Sequence, residues 1–277
     1  MFKGKKVLVT GSDGMIGQEL LELLDKEGAI VHQADFKRGI DLRNFRECLT
    51  MCKGIDYVFH LAGVKGSPRM TKEKPASFMS PMLSFDSNMI EAAQQCKVKR
   101  FLYTSSIAVE NIITDKFPAW AKMSGETLIE AMRIQYPKGT KYCIVRPANV
   151  YGRFDNFQNP DAMVITSLIQ KGLKKKEIEV WGTGYEERDF INAKDVARGM
   201  IQAMVQMHDK PVNLCSGKGY LIGYIATLIG EELNKEVKFN GESTGDKRRV
   251  MELNWNFKPE IDIKDGIKEV IQWKLNQ

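Results

Sequence analysis

Three glycines near the amino terminus have the spacing of a loop that binds a pyrophosphate. Gly11, Gly14 and Gly17 form G-x-x-G-x-x-G between a β-branched run and a helical stretch. In such a loop the first glycine permits a tight turn, the second lets the backbone approach the phosphates, and the third lets helix and strand pack closely. The helix amino terminus adds unpaired N–H groups and a partial positive charge. Because the triad opens a strand–helix–strand unit, it predicts a dinucleotide site rather than an ordinary glycine-rich turn.

A carboxylate follows the second predicted strand, where a dinucleotide would place its adenosine ribose. Asp35 comes eighteen residues after Gly17. It can accept hydrogen bonds from the ribose hydroxyls, and its charge repels a 2′-phosphate, so we expect NAD rather than NADP as the cofactor. Lys37 and Arg38 follow directly and could bind a 2′-phosphate, so NADP remains the alternative.

Short apolar strands alternate with amphipathic helices through the first half of the chain. This alternation predicts an α/β fold, a Rossmann-type doubly wound parallel sheet with helices on both faces. The predicted strands are Val7–Thr10, Ala29–Gln33, Tyr57–Leu61, Arg100–Ser105 and Lys141–Arg146, and the predicted helices include Met15–Lys26, Met82–Cys96 and Ala119–Tyr136.

The alternation loosens after about residue 150. We expect an NAD-binding domain over residues 1–150 and, over 151–277, mainly a smaller α/β lobe that binds the substrate, with an interleaved boundary. The predicted elements of this lobe are strands at Glu179–Trp181 and Val212–Leu214 and helices near Asp195–Met207 and Leu221–Asn234. Since no low-complexity linker separates the two parts, they should pack tightly.

Composition excludes several classes of protein. The chain has 277 residues, 43% hydrophobic and 27% charged content, and a net charge of +6. No apolar run approaches the ~20 residues that span a bilayer, and the amino terminus does not resemble a signal peptide. The five scattered cysteines form no metal-ligand pattern, and the basic residues form no nucleic-acid-binding motif. We therefore expect a cytoplasmic protein with reduced thiols, no metal, and no nucleic-acid or membrane partner.

Further motifs recur in an order that resembles the extended short-chain dehydrogenase/reductase superfamily, the NAD-dependent nucleotide-sugar epimerases and dehydratases. The resemblance covers nearly the whole chain, and YGRFDNF is most similar to GDP-fucose synthases and related GDP-sugar enzymes. Its motifs are Asp41-Leu42, His60–Gly63, Thr104–Ser106, Arg146–Gly152, Asp155–Phe157, Trp181–Ala197 and Phe257–Trp273. The implied cofactor residues are Gly11, Asp13, Gly14, Met15, Ile16, Gly17, Asp35, Asp41, Leu42, Leu61, Ala62, Gly63, Lys122, Pro147 and Val150.

The implied reaction centre departs from the family at one position. The resemblance makes Ser106 the catalytic serine and Lys122 the catalytic lysine, but the family's tyrosine, four residues before the lysine, is here Pro118. Losing a positioned acid/base costs about 10²- to 10⁴-fold in rate. The family's epimerising Cys and His correspond to Ala108 and Met163, so fucose-synthase chemistry is not expected.

Other side chains could carry the missing proton, although each has a simpler structural interpretation. Glu110, Thr114 and Asp115 are expected to be solvated loop residues, Tyr103 a packed strand aromatic, and His60 part of a strand end.

The resemblance also implies a substrate and an assembly. Ser106, Asn149 and Arg188 would contact a nucleoside-diphosphate sugar, and Arg248 or Arg249 could add a second contact to the diphosphate. We expect an NAD-dependent epimerase, dehydrogenase or reductase of a GDP-sugar, in a homodimer formed by Met82–Cys96 and Ala119–Tyr136. The alternative is a degenerate member that binds NAD and the sugar nucleotide without turnover, as a sensor or partner subunit.

Overall fold

The structure, a computed structural model, describes residues 1–64, 68–111, 113, 116–160, 162–241 and 248–277. Its strands are β1 (Lys6–Thr10), β2 (Ile30–Ala34), β3 (Tyr57–His60), β4 (Arg100–Thr104), β5 (Lys141–Pro147), β6 (Asn149–Tyr151), β7 (Glu177–Val180), β8 (Glu187–Asn192), β9 (Val212–Leu214), β10 (Gly219–Leu221), β11 (Glu236–Phe239) and β12 (Arg248–Arg249). Its helices are α1 (Met15–Lys26), α2 (Phe45–Cys52), α3 (Pro68–Glu73), α4 (Pro75–Gln95), α5 (Lys116–Gln135), α6 (Val164–Lys174), α7 (Ala193–Gln206), α8 (Ile222–Leu233) and α9 (Ile263–Leu275), with 3₁₀ helices at Phe36–Arg38 and Ile107–Asn111.

A six-stranded parallel sheet forms the centre of the molecule, in the order β2-β1-β3-β4-β5-β9. Apolar helices cover both faces. Leu20 of α1 and Met200 of α7 belong to one core cluster, and Met89 of α4 and Ile129 of α5 belong to the other. The doubly wound α/β fold expected from the sequence is confirmed. In such a sheet, ligands bind beyond the carboxyl ends of the strands, where the strand order reverses between β1 and β3.

Two predicted elements, strand β9 and helix α7, belong to the main sheet and not to the smaller lobe, where we expected them. Val212–Leu214 is a strand as expected, but it pairs with β5 in the main sheet instead of joining the smaller lobe. Helix α7, predicted near Asp195–Met207, likewise packs in the core cluster of the main sheet, through Val196 and Met200. A three-residue strand and an amphipathic helix carry no local signal for the sheet they join, because that choice depends on distant partners.

The smaller lobe begins directly after the carboxyl end of strand β5 of the main sheet. Strand β6 begins two residues after β5 ends and pairs with β8, which also pairs with β10 and β12. Strands β7 and β11 form a separate parallel pair. Helices α6, α8 and α9 contribute buried Ile169, Ile225 and Ile267 to the core of this lobe.

Helix α4 begins earlier than expected and buries its apolar side chains within the subunit. It starts at Pro75 rather than Met82, because proline suits a first helical turn in which N–H groups lack intrahelical partners. Met82 and Met89 are buried, whereas Ser77, Ser80 and Ser87 are exposed. Most of the large apolar side chains of this helix therefore pack within the subunit. None of the described helices is both long and apolar enough to cross a membrane.

Candidate functional site

The glycine loop has the backbone geometry of a pyrophosphate cradle. Gly11 has φ +67°, a left-handed conformation that favours glycine, whereas Gly14 has an ordinary φ of −82°. A Cβ on Gly17 would lie 2.4 Å from the carbonyl oxygen of Gly11, but one on Gly14 would meet only that oxygen, at 3.1 Å. No side chain in the described part of the chain caps helix α1, and its first turn has no acidic residue. Its amino terminus therefore fits an anionic group.

The carboxylate expected to meet the ribose is held in place by backbone N–H groups. Asp35 Oδ2 accepts a hydrogen bond from the amide of Asp13 at 3.1 Å, and Oδ1 accepts one from the amide of Lys37 at 3.0 Å. The Asp13 carboxylate pairs with Arg38 at 2.8 Å. Each Asp35 oxygen keeps acceptor capacity, so the residues present fit a ribose with free hydroxyls.

The remaining predicted cofactor residues lie near the carboxyl ends of the strands of the main sheet. One of them, Asp41, already forms an ion pair within the protein. The amides of Leu61 and Ala62 donate to Thr10 Oγ1 at 3.2 and 3.1 Å. Arg43 binds the Asp41 carboxylate at 2.6 Å, and this hydrogen bond lowers the pKa of Asp41. In the other predicted positions, Leu42 is buried, Gly63 is exposed, Met15 and Ile16 open α1, Pro147 ends β5, and Val150 lies in β6.

The three hydroxyl residues at the end of β4 and directly after it are in different environments. Ser105 is buried and donates to Glu126, and Thr104 Oγ1 is buried and has no hydrogen-bond partner among the residues that the structure describes. Ser106 is only partly buried, and its Oγ accepts a hydrogen bond from the amide of Ala108 at 3.2 Å. Among these three, Ser106 has the hydroxyl that a substrate can reach.

Pro118 occupies the first turn of α5, one helical turn before Lys122. Its side chain has no proton to exchange. Ala108 is buried in the 3₁₀ helix after β4, and Met163 is the N-cap of α6. Neither side chain titrates. Thr114 and Asp115, the other suggested proton carriers, lie outside the described residues.

Lys122 belongs to a buried polar network centred on Asp86. Its Nζ lies 3.3 Å from Asp86 Oδ2, and the Tyr103 hydroxyl donates to the same oxygen at 2.6 Å. His60 Nε2 lies 2.9 Å from Asp86 Oδ1, and His60 Nδ1 lies 2.7 Å from Thr10 Oγ1. The network therefore connects the strand before the glycine loop with the lysine of α5.

Burial determines the protonation states in this network. It lowers the pKa of His60, which stays neutral, and it raises the pKa of Tyr103 well above its usual range. Burial alone would raise the pKa of Asp86, but the charge of Lys122 and the hydrogen bond from His60 outweigh it and lower that pKa. A buried, protonated Tyr103 cannot exchange protons with a substrate, so its interpretation as a packed strand residue is favoured.

Sequence reasoning missed Asp86, although a signal was present. Met82, Phe85, Met89 and Asp86 share the buried face of α4. A carboxylate in such an apolar stripe is rarely buried unless it is paired. The sequence did not reveal that its partner would be a lysine on the next helix.

Glu110 has a carboxylate at the same end of the sheet. It is exposed, and its Oε1 lies 3.9 Å from Arg146 Nη1. Arg146 forms a two-point hydrogen bond with Glu126, at 2.9 and 2.6 Å, which raises the pKa of Arg146. Glu110 is thus a solvated residue, as expected, but one beside a fixed guanidinium.

Strand register separates the two candidate arginines near the carboxyl terminus. Arg249 aligns with Arg188 on the parallel pair β12 and β8, whereas Arg248 aligns with Glu187 and pairs with its carboxylate at 2.9 Å. The arginine that lies beside Arg188 on the neighbouring strand is therefore Arg249. Nearby, the side-chain amide of Asn149 donates to the backbone oxygen of Asp189 at 2.8 Å.

Comparisons with known proteins identify the family and similar structures. Residues 7–223 match the model of the NAD dependent epimerase/dehydratase family. The chain is 27% identical to a probable GDP-L-fucose synthase 1 of Oryza sativa subsp. japonica, over 98% of this chain and 92% of the relative. It resembles the structure of a GDP-6-OMe-4-keto-L-xylo-heptose reductase from C. jejuni (TM-score 0.89, 22% identity, 100% and 99% of the chains). It also resembles an NADP-bound GDP-L-fucose synthetase from Naegleria fowleri (TM-score 0.86, 22% identity, 100% and 94%).

Proposed function

The chain belongs to the NAD dependent epimerase/dehydratase family, and we propose that it is an NAD-dependent epimerase, dehydrogenase or reductase of a GDP-linked sugar. Residues 1–150 would supply most of the cofactor site together with Ser106 and Asn149 of the substrate site, and residues 151–277 would supply the arginines that bind the diphosphate. The side-by-side placement of Arg188 and Arg249 on neighbouring strands of the smaller sheet is the observation that carries this proposal.

The cofactor assignment rests on the loop and on the carboxylates near it. When bound, a nicotinamide dinucleotide supplies the hydride acceptor or donor. The uncapped amino terminus of α1 would hold the pyrophosphate, and Asp35 would accept hydrogen bonds from the ribose. Asp35 places a negative charge beside this position, and Asp13 binds the nearby Arg38 guanidinium, which together disfavour a 2′-phosphate and support NAD.

The substrate assignment rests on charge and on the relatives. Two guanidinium groups suit a diphosphate, because each can donate two parallel hydrogen bonds. The relative and the structures described above are named for GDP-sugars, which supports guanine as the base.

Within the reaction centre, Ser106 and Lys122 have separate tasks. Lys122 would hold the nicotinamide ribose, and Ser106, directly or through a water, would accept the proton of the sugar hydroxyl while passing its own hydroxyl proton on to solvent. A neutral serine is a weak base, so turnover should be slow and should rise with pH until a general base is titrated.

Pro118 is the observation that favours a second candidate, namely binding of cofactor and sugar nucleotide without turnover. The chain would then act as a sensor or a partner subunit.

Two measurements test these functions. Thermal unfolding with GDP-, UDP- and dTDP-sugars should give the largest shift with a GDP-sugar, since ligand at 100 times its dissociation constant stabilises by about 2.7 kcal/mol. Absorbance of reduced nicotinamide, followed with the same sugars and their 4-keto forms, should reveal hydride transfer. Shifts without any reaction would favour the binding-only function, and no shift with any sugar would contradict both.

A further inference from the structure

Arg38 follows Asp35 by three residues, and its guanidinium is turned toward the glycine loop. Its Nε donates to Asp13 Oδ1 at 2.9 Å, and its Nη2 lies 2.8 Å from the same oxygen. Two nitrogens of the fork therefore converge on one carboxylate. The Nε and Nη2 groups of this arginine bind Asp13, so they are not available to form two parallel hydrogen bonds with a phosphate.

Asp13 is itself fixed relative to Asp35. The amide of Asp13 donates to Asp35 Oδ2, and the amide of Arg38 donates to the backbone oxygen of Asp35 at 2.9 Å. The loop, the carboxylate and the arginine thus form a connected unit at the carboxyl ends of β1 and β2. The position of Arg38 depends on a residue outside its own segment.

We propose that Asp13 is the residue that selects NAD over NADP, because it neutralises Arg38 and withholds it from a 2′-phosphate. This inference rests on the proposed function only in requiring that a nicotinamide dinucleotide binds at the loop. An NADP molecule would have to displace a formed ion pair while facing both Asp13 and Asp35. NAD, with a free 2′-hydroxyl, leaves the ion pair intact.

The Asp13–Arg38 pair is suited to selection because it contributes little to stability. The Arg38 side chain is 45% exposed and that of Asp13 is 19% exposed, so solvent screens their attraction. Asp13→Asn keeps the shape of the side chain and removes its charge. It should leave the unfolding temperature nearly unchanged.

A matched control exists at the other end of the sheet. Asp56 is 20% exposed and pairs with Lys99 at 2.6 Å, next to the amino end of β1. Asp56→Asn removes an equivalent charge far from the glycine loop. Its ratio of NAD to NADP affinity should equal that of the wild type.

The test is a titration of NAD and NADP, by calorimetry, into the wild type, Asp13→Asn, Arg38→Ala and the double variant. Asp13→Asn should raise the NADP affinity by about tenfold and leave the NAD affinity within about threefold, as expected for one released charge-assisted contact. The double variant should lose the gain. Arg38→Ala alone should change the ratio of affinities little.

Two outcomes would overturn the inference: an unchanged ratio in Asp13→Asn, or a gain that persists in the double variant. The wild-type ratio tests the proposed cofactor separately. A wild type that already prefers NADP would contradict NAD as the cofactor, and a wild type that binds neither would contradict the dinucleotide site itself.

Discussion

Lys122 Nζ and Asp86 Oδ2 lie 3.3 Å apart between helices α4 and α5, with both side chains at most 10% exposed. The ammonium also lies 4.9 Å from the centre of the Tyr103 ring. The lysine that we propose to hold the cofactor therefore forms an ion pair with the Asp86 carboxylate of helix α4.

Removing the charge of Asp86 should destabilise the protein strongly. Asp86→Asn leaves the ammonium of Lys122 buried without a counter-charge, which costs about 3–5 kcal/mol. The double variant Asp86→Asn, Lys122→Met removes both charges and should be more stable than Asp86→Asn alone. Urea unfolding at neutral pH measures both. Additive losses would show that the two groups do not interact.

The buried imidazole should make stability depend on pH. Burial lowers the pKa of His60 in the folded protein. Below about pH 6.5 the His60 side chain therefore binds a proton in the unfolded chain but not in the folded one. The free energy of unfolding should fall as the pH drops from about 6.5 toward the pKa of His60 in the folded protein. His60→Gln cannot take up this proton. Urea unfolding at several pH values between about 5 and 7.5 should show a shallower slope for the variant, and an equal slope would argue that His60 is protonated in the fold.

The glycine loop offers a variant that impairs binding and a contrasting variant that impairs folding. Gly14→Val fits the backbone conformation and places its side chain where the phosphates would lie, so it should abolish NAD binding with little effect on unfolding temperature. Gly17→Ala sets its methyl group against the Gly11 carbonyl oxygen and should destabilise the fold. Calorimetry and thermal unfolding together separate the two effects. Normal NAD affinity in Gly14→Val would place the pyrophosphate elsewhere.

Replacing Ser106 should separate chemistry from binding. Ser106→Ala should remove nearly all hydride transfer and keep the NAD affinity within a few-fold, because Ser106 contacts the sugar hydroxyl in our proposal. Stopped-flow absorbance on an active sugar and NAD titration measure the two properties. Activity equal to that of the wild type would mean that another group accepts the proton, and Glu110→Gln would then be the next variant to examine.

Dimer formation should depend on the exposed face of α5. Trp120 and Ile134 are 48% and 76% exposed, whereas the outward positions of α4 are mostly polar. Light scattering at micromolar concentration should report a dimer, and Ile134→Glu should weaken it by adding a charge to an apolar contact. Glu130→Lys, on the same helix, serves as a control for surface charge. A monomeric wild type would contradict this assembly.

The sequence predicted those elements whose signals are local. Helix α1 has the expected limits, because the glycines that precede it set its start. Contacts between residues far apart in the chain could not be predicted from the sequence. To predict that Arg249 aligns with Arg188, one must know the register of strands β12 and β8. To predict the ion pair between Arg38 and Asp13, one must know how the segment after β2 packs against the glycine loop.

The position of β9 has a consequence for how the chain can be divided. The polypeptide leaves the main sheet after β5, builds β6 to β8, and returns through α7 to add β9 beside β5. A fragment that stops near residue 150 would leave β5 as an open edge and strip α7 from one face. We therefore expect such a fragment to aggregate when it is produced alone, and the remaining piece to lack a surface on which to fold. We expect residues 1–150 and residues 151–277 to fold only as parts of one continuous chain.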